Sequence, residues 1–183
     1  LNPEKDSQGV LVARFDPGNN TGWKILVSEG KIIFKLLHSL KNGIKVETKT
    51  TLQPSDWSHV TATYDGSSKA DGVQIFINGK KVKTKTLLDS LSKSILFSGN
   101  LRIASESYGN QLNGAKLDEV FVTPHILTKE EINTVSAFNA ISRFSLLSPE
   151  KLAQEAKDQL YSYYLNYFDT TYSPLFRNSR NIK

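Results

Sequence analysis

Two alternating runs joined by tight-turn dipeptides constrain this chain more than any other feature. The first is Trp57-Ser-His-Val-Thr-Ala-Thr-Tyr-Asp-Gly-Ser67, and the second is Gly72-Val-Gln-Ile-Phe-Ile-Asn-Gly79. Val60, Ala62 and Tyr64 alternate with His59, Thr61 and Thr63, which gives one strand an apolar side and a polar side. Asp65-Gly66 breaks the run. Val73, Ile75 and Ile77 then restart the period of two, and Asn78-Gly79 is a pair that tolerates positive φ at both centres of a type I′ turn. A return strand is predicted from Lys81 to Thr86, where Lys81, Lys83 and Lys85 alternate with Val82, Thr84 and Thr86. Such a lysine comb keeps an edge or solvent face from pairing with other chains.

Upstream, Gly9 to Phe15, Trp23 to Val27, Lys31 to Leu37 and Ile44 to Thr50 read as short strands. Asp16-Pro-Gly-Asn-Asn20, Glu29-Gly30 and Lys41-Asn-Gly43 separate them. Downstream, Ile95 to Phe97, Leu101 to Ala104 and Leu117 to Val122 are further strand expectations. Short strands with regularly recurring turn signals predict an all-β sandwich or barrel rather than βαβ units.

The period changes at Thr128. Thr128 with Glu131 three residues on writes a capping box, and Leu127 with Ile132 has staple spacing, so a helix is predicted to begin there. Ser148-Pro149-Glu150 writes a second helix start. Leu152, Ala156, Leu160, Tyr164 and Phe168 follow at four-residue spacing, widened by Tyr163 and Tyr167 into an apolar stripe that must pack on something.

A chain of 183 residues is long enough to bury one core without disulfides, and it has no cysteine. That composition excludes thiol catalysis, thiolate metal sites and a covalently attached haem in this chain. The formal net charge of +5 divides into +4 before Thr128 and +1 from there on. Most lysines occupy alternating strand positions, as Lys45, Lys49, Lys81, Lys83 and Lys85 do, and a solvated face explains that spacing better than nucleic-acid binding. No membrane-spanning apolar run is seen and the residues from Leu1 do not read as a signal sequence, an expectation that leaves export of a mature fragment open.

The Trp57 and Gly72 blocks, followed by Leu117-Asp-Glu-Val-Phe-Val122 and Ile126-Leu-Thr-Lys-Glu-Glu-Ile132, resemble in order the motifs of the laminin G-like, concanavalin A-like lectin/glucanase domain. More narrowly, Gly22-Trp-Lys-Ile-Leu-Val27, Phe34-Lys-Leu-Leu-His-Ser39, Ile44-Lys-Val-Glu-Thr-Lys49 and Ser67-Ser-Lys-Ala-Asp-Gly72 resemble the laminin G-like insert of large secreted bacterial proteins. Those proteins are common in planctomycetes and are cytochrome c-associated. The tail Leu160-Tyr-Ser-Tyr-Tyr-Leu-Asn-Tyr-Phe-Asp169 is similar to the segment after that insert.

The resemblance implies a mainly β, antiparallel concanavalin A-like jelly-roll sandwich over residues 1–127. A C-terminal α-helical extension, residues 128–183, would lead to the next domain of a larger protein. It also implies that two strands normally precede the first one seen here, so Leu1-Asn-Pro-Glu-Lys is expected to be the loop after them. The chain on its own is then expected to keep an unpaired edge that another segment of the parent polypeptide or a neighbouring chain completes.

Functionally the resemblance implies a non-catalytic recognition or docking module for carbohydrate or protein, in a secreted or periplasmic multidomain bacterial protein. The alternatives are a structural insert in a redox or hydrolytic enzyme whose active site lies elsewhere, and a glycoside-active domain. Catalysis is disfavoured because Asp118 and Glu119 are adjacent and so would face opposite sides of a strand, whereas a glycosidase needs two carboxyl groups flanking one bond. His38, His59 and His125 are scattered and lack the convergence of a zinc site.

Trp23, His38 and Tyr108 are the candidates for contacting a ligand, the aromatic rings offering an apolar face beside polar neighbours. Laminin G-like domains often bind calcium, and Asp16, Asn19, Asp65 and Asp71 could supply oxygen ligands. Asx-Gly turns have the same composition for backbone reasons, and that reading is preferred.

Overall fold

The computed structural model describes residues 1–106, 109–144, 150, 152–167 and 169. The chain divides into two units, Leu1–Leu127 and Thr128–Lys183. In the first, the predicted strands form as β1 (Asn2–Asp16), β2 (Thr21–Ser28), β3 (Lys31–Ser39), β4 (Asn42–Thr48), β5 (Val60–Tyr64) and β6 (Val73–Ile77). Short strands β7 (Lys80–Lys81), β8 (Thr84–Asp89), β9 (Arg102–Ile103) and β10 (Asn113–Lys116) follow.

All pairings are antiparallel. One sheet runs β10-β1-β2-β3-β4-β8, with β9 also on β1, and the other runs β5-β6-β7. Between them lies the main core. From the large sheet it takes Leu11, Val27, Ile32, Phe34, Leu36, Ile44 and Val46, and from the small one Val73 and Ile75, with Val60, Ala62 and Tyr64 packed against it. The alternation read from β5 and β6 therefore points the apolar side of each strand inward. Thr48, at the end of β4, is the polar exception on that face. It is fully buried, and its hydroxyl accepts from the Ile32 N–H (3.1 Å) and donates to the Thr50 carbonyl (2.8 Å), so no buried polar group is left unpaired there.

Two glycines are required by geometry. Gly22 lies on β2 opposite Phe15 with φ of 122°, and a Cβ there would overlap the Arg14 carbonyl. Asn78 and Gly79 have φ of 50° and 75°, the two positive values of a type I′ turn. The turn is locked to the start of β5: the Asn78 N–H donates to the His59 carbonyl (2.8 Å), and its side-chain oxygen accepts from the His59 N–H (2.8 Å).

Several expectations are corrected. The Lys81–Thr86 return strand does not stay with β6. β7 ends at Lys81, the Val82 N–H makes one more bond to the Ile75 carbonyl (3.0 Å), and the chain crosses to pair as β8 with β4. The free ladder groups of β4 are thereby satisfied, while Lys81, Lys83 and Lys85 remain exposed.

Leu1-Asn-Pro-Glu-Lys is not a loop, because β1 begins at Asn2 and pairs Asn2 with Lys116 and Pro3 with Ala115. On its other side Leu1 exchanges two backbone bonds with Ser58, and the Pro3 carbonyl accepts from the Ser55 N–H (2.6 Å). The start of β1 is thus flanked on both edges. Leu117 to Val122 is not a strand; among the described residues the last strand is β10, just before it. Asp118 turns its carboxylate onto the Glu119 N–H (2.9 Å), and Glu119 adopts φ of 50°, which ends extended pairing. Phe121 is consequently 71 % exposed. Ile95 to Phe97 is irregular, and the Leu101–Ala104 expectation shrinks to β9 because Ala104 takes φ of 60°.

In the second unit, α1 (Lys129–Phe144) begins with the capping box: Thr128 Oγ1 accepts from the Glu131 N–H (3.2 Å), and Glu131 accepts from the Thr128 N–H (2.8 Å). α2 (Gln154–Tyr167) packs against α1. Its described start lies after Leu152 and Ala153, whereas Ser148 and Pro149 fall outside the described residues. Of the stripe, Ala156 is buried, Leu152, Leu160 and Tyr163 are half-buried, and Tyr164 is exposed; Phe168 and the Tyr167 side chain lie outside the description.

The turn geometry gives a direct test. Gly79→Val should lower stability by about 1 kcal/mol or more, since a β-branched residue is strained at positive φ. Thermal unfolding checks it, and an unchanged melting temperature would contradict the type I′ assignment.

Candidate functional site

The strict alternation of β2, β3 and β4 gives the large sheet a second face. Trp23, Ile25 and Val27 point into the core, so Lys24 and Leu26 point away from it. Phe34 and Leu36 flank Lys35, and Ile44 and Val46 flank Lys45, in the same way. On this outward face a second apolar cluster gathers Val10, Ala13, Phe15 and Leu37, with Leu26 and Leu88 against it.

The register then aligns charges across the strands. Lys24 pairs with Lys35, and Lys35 pairs with Lys45, so three lysines stand side by side on neighbouring strands. Lys24 is buried, and Lys35 and Lys45 are half-buried. Glu106, from the connection between β9 and β10, is 3 % exposed and takes the Lys24 ammonium at 2.6 Å. Its other oxygen accepts from the Asn110 side-chain amide. The same ammonium lies 3.9 Å from the centre of the Phe15 ring, a cation–π contact. Lys24 thus has two partners in a site that water hardly reaches.

Lys35 is in a different position. Burial, and then the charges of Lys24 and Lys45, hold its ammonium below the usual lysine range, while Glu106 opposes them. Toward one end of the same face Lys31 reaches Glu47 at 3.2 Å, and Glu47 also lies opposite Lys85. Like charges directly opposite one another weaken a sheet, so the row is a local cost that the fold itself does not require.

The residues singled out from sequence are distributed differently. Trp23 packs against the main core. His38, at the end of β3, holds the Ser94 carbonyl through Nδ1 (2.8 Å), while its own carbonyl accepts from Thr21 Oγ1 (2.8 Å). Tyr108 lies outside the described residues. His59 is part of the hairpin clamp, and burial lowers its imidazole pKa from the usual value, with the positive chain terminus adding to this. A histidine lowered on folding stabilises the neutral side of its titration, so this contribution is present above about pH 6.5 and is lost as the pH falls below it.

The loop carboxylates make turn contacts. Asp16 accepts from the Gly18 N–H (2.9 Å) and the Asn19 side-chain amide (2.7 Å), and Asp65 accepts from the Ser67 N–H (2.9 Å). The Asn19 side chain and then the backbone N–H groups hold the Asp16 carboxyl below the usual range, and the Ser67 side chain and then its N–H do the same for Asp65. Asp71 stands exposed in the short 3-10 turn Ala70–Gly72. Among the described residues no three His, Asp or Glu side chains gather as a metal site.

The Lys24–Lys35–Lys45 row was not singled out from sequence. The signal was available in the spacing, because each lysine sits at the outward position of its strand. Only the register between strands puts the three in line.

Two outcomes are expected. Lys24→Ala should destabilise the domain by about 3–5 kcal/mol because it leaves Glu106 buried and uncompensated. Lys24→Met combined with Glu106→Gln should recover most of that loss in a denaturant titration. Added Ca²⁺ or EDTA should leave the melting temperature unchanged if the Asp16 and Asp65 loops are turns alone, whereas a bound ion would raise it by mass action.

The sequence matches the family model Laminin_G_3, described as the Concanavalin A-like lectin/glucanases superfamily, over residues 1–133. No curated protein matches it.

Proposed function

The chain belongs to the concanavalin A-like lectin/glucanase superfamily, and from that premise we propose that it is a non-catalytic recognition module for carbohydrate, with protein as the second ligand class. A single observation favours this reading: on the outward face of the large sheet the half-buried Lys35 and Lys45 lie in register on β3 and β4 and make no ion pair among the described residues, which leaves positioned polar groups for a ligand. Polar groups held in fixed positions are what orient a saccharide in a binding site. Asp118 and Glu119, the acidic neighbours of the closing segment, are both exposed, and the first bonds the backbone of the second. That arrangement argues against a pair acting across one glycosidic bond.

The parent would be a secreted or periplasmic multidomain bacterial protein, with the planctomycete cytochrome c-associated architecture as the specific context. Calcium, if used, would serve the loops of Asp16 or Asp65 and not the lysine face. Among the described residues no helix is long and apolar enough to cross a membrane.

A glycan array probed with the intact chain tests the reading. Binding to a defined subset of glycans is the expected result. No glycan binding, together with saturable binding to a protein ligand, would replace the carbohydrate reading with the protein one.

A further inference from the structure

We propose that the Lys35 side chain is a covalent carbon dioxide site, its amine forming a reversible carbamate that the ammonium groups of Lys24 and Lys45 flank. Such a modification goes beyond the recognition reading above and stands or falls apart from it.

The three lysines in register on the outward face of the large sheet have different surroundings. Lys24 is buried, and its ammonium is taken at 2.6 Å by Glu106, whose other oxygen accepts from Asn110. Lys45 has a lysine opposite it on β3 but Leu88 opposite it on β8. Lys35 has a lysine on each side. Its neighbours on the same face of β3 are Ile33 and Leu37, only 7 % and 6 % exposed, so its stem rises between buried apolar side chains. Among the described residues Lys35 makes no ion pair or hydrogen bond. The half-buried amine therefore loses its proton more readily than a surface lysine: burial acts first, the charges of Lys24 and Lys45 add to it, and Glu106 opposes them. A lysine desolvated beside cationic groups is the nucleophilic form of this side chain.

The reaction balances with carbon dioxide as the one reactant added. The lone pair of neutral Lys35 Nζ forms a bond to the carbon, one C=O π pair moves onto oxygen, and a proton leaves Nζ for solvent, giving –NH–COO⁻ with no change of oxidation state. Carbon dioxide is small and uncharged, so it enters a half-buried site without the desolvation cost that an anion meets. Neighbouring strands are about 4.8 Å apart, so the product stands beside an ammonium group on each side. A row of three like charges becomes one of alternating sign, which the sheet favours. Glu47, farther along the face, is occupied by Lys31.

NMR of the 183-residue chain equilibrated with isotopically labelled carbon dioxide and bicarbonate tests this. At about pH 8, where an ordinary lysine of pKa about 10.4 stays protonated, a carbamate carbonyl resonance is expected. Trapping it as the ethyl ester and mapping the peptides should place the adduct on Lys35. Lys35→Arg keeps the positive charge in a group that is always protonated and should abolish the resonance. Lys45→Gln should weaken carbamate formation about threefold or more, because it returns the proton to Lys35 and removes one partner of the product. Carbon dioxide should raise the melting temperature of the parent, compared with chloride at equal ionic strength, and leave that of Lys35→Arg unchanged.

The lack of a carbamate resonance in the folded parent overturns the proposal, as does a resonance that persists in Lys35→Arg or an adduct mapped to the Leu1 α-amino group. A higher melting temperature without the resonance would mean a bound anion and no covalent bond, and overturns it equally. Mapping on the parent chain decides the site even where Lys35→Arg fails to fold.

Discussion

The in-register pairing of β2, β3 and β4 is the constraint on which the rest of this domain depends. Because each strand alternates strictly and the three are aligned without slippage through Trp23–Leu36–Ile44 and Lys24–Lys35–Lys45, a single register choice fixes both faces of the sheet. A slip of one residue would turn Phe34 and Leu36 outward and drive lysines into the core. The burial of Val27, Ile32, Ile44 and Val46, each at most 1 % exposed, makes such a slip far more costly than the repulsion within the lysine row. The unfavourable row is thus held in place by the favourable packing on its reverse side.

That coupling also decides how the charges of the row are met. Lys24 and Glu106 form a pair that contributes to order more than to net stability, since desolvating both charges offsets much of their attraction. Its structural consequence is that the connection between β9 and β10 is tied to the middle of the sheet. Lys35 and Lys45 receive no such partner among the described residues, so there the row keeps two half-buried charges that Glu106 does not pair. Strain retained where packing elsewhere over-determines the structure is a reason to look for function at that place.

The two sheets are joined by backbone as well as by the core. Leu1 and Ser58 exchange hydrogen bonds, and β8 leaves the β6 hairpin to complete the edge of β4. One chain segment thus serves each sheet in turn, crossing just after the Asn78-Gly79 hairpin. The closing segment from Leu117 onward has strand-like composition, yet Val120, Phe121 and Val122 stand exposed. Local side-chain bonding at Asp118 and positive φ at Glu119 prevail there over β propensity.

The sequence by itself determined the β class, the inward faces of β5 and β6, the Asn78-Gly79 turn and the Thr128 helix start, because each rests on contacts a few residues apart or on backbone sterics. Its ordered motifs also carried the superfamily. Tertiary structure decided what depends on partners distant in the chain. It made residues 2–5 a strand by pairing them with residues near 115, moved the segment after Lys81 to the other sheet, and set Trp23, half-buried, against the core, where from sequence alone it served equally as a ligand platform. It also set Lys24, Lys35 and Lys45 in one line. Alternation tells each lysine which way to face, but register between strands is a non-local choice made by the whole core, and no spacing within a single strand records it.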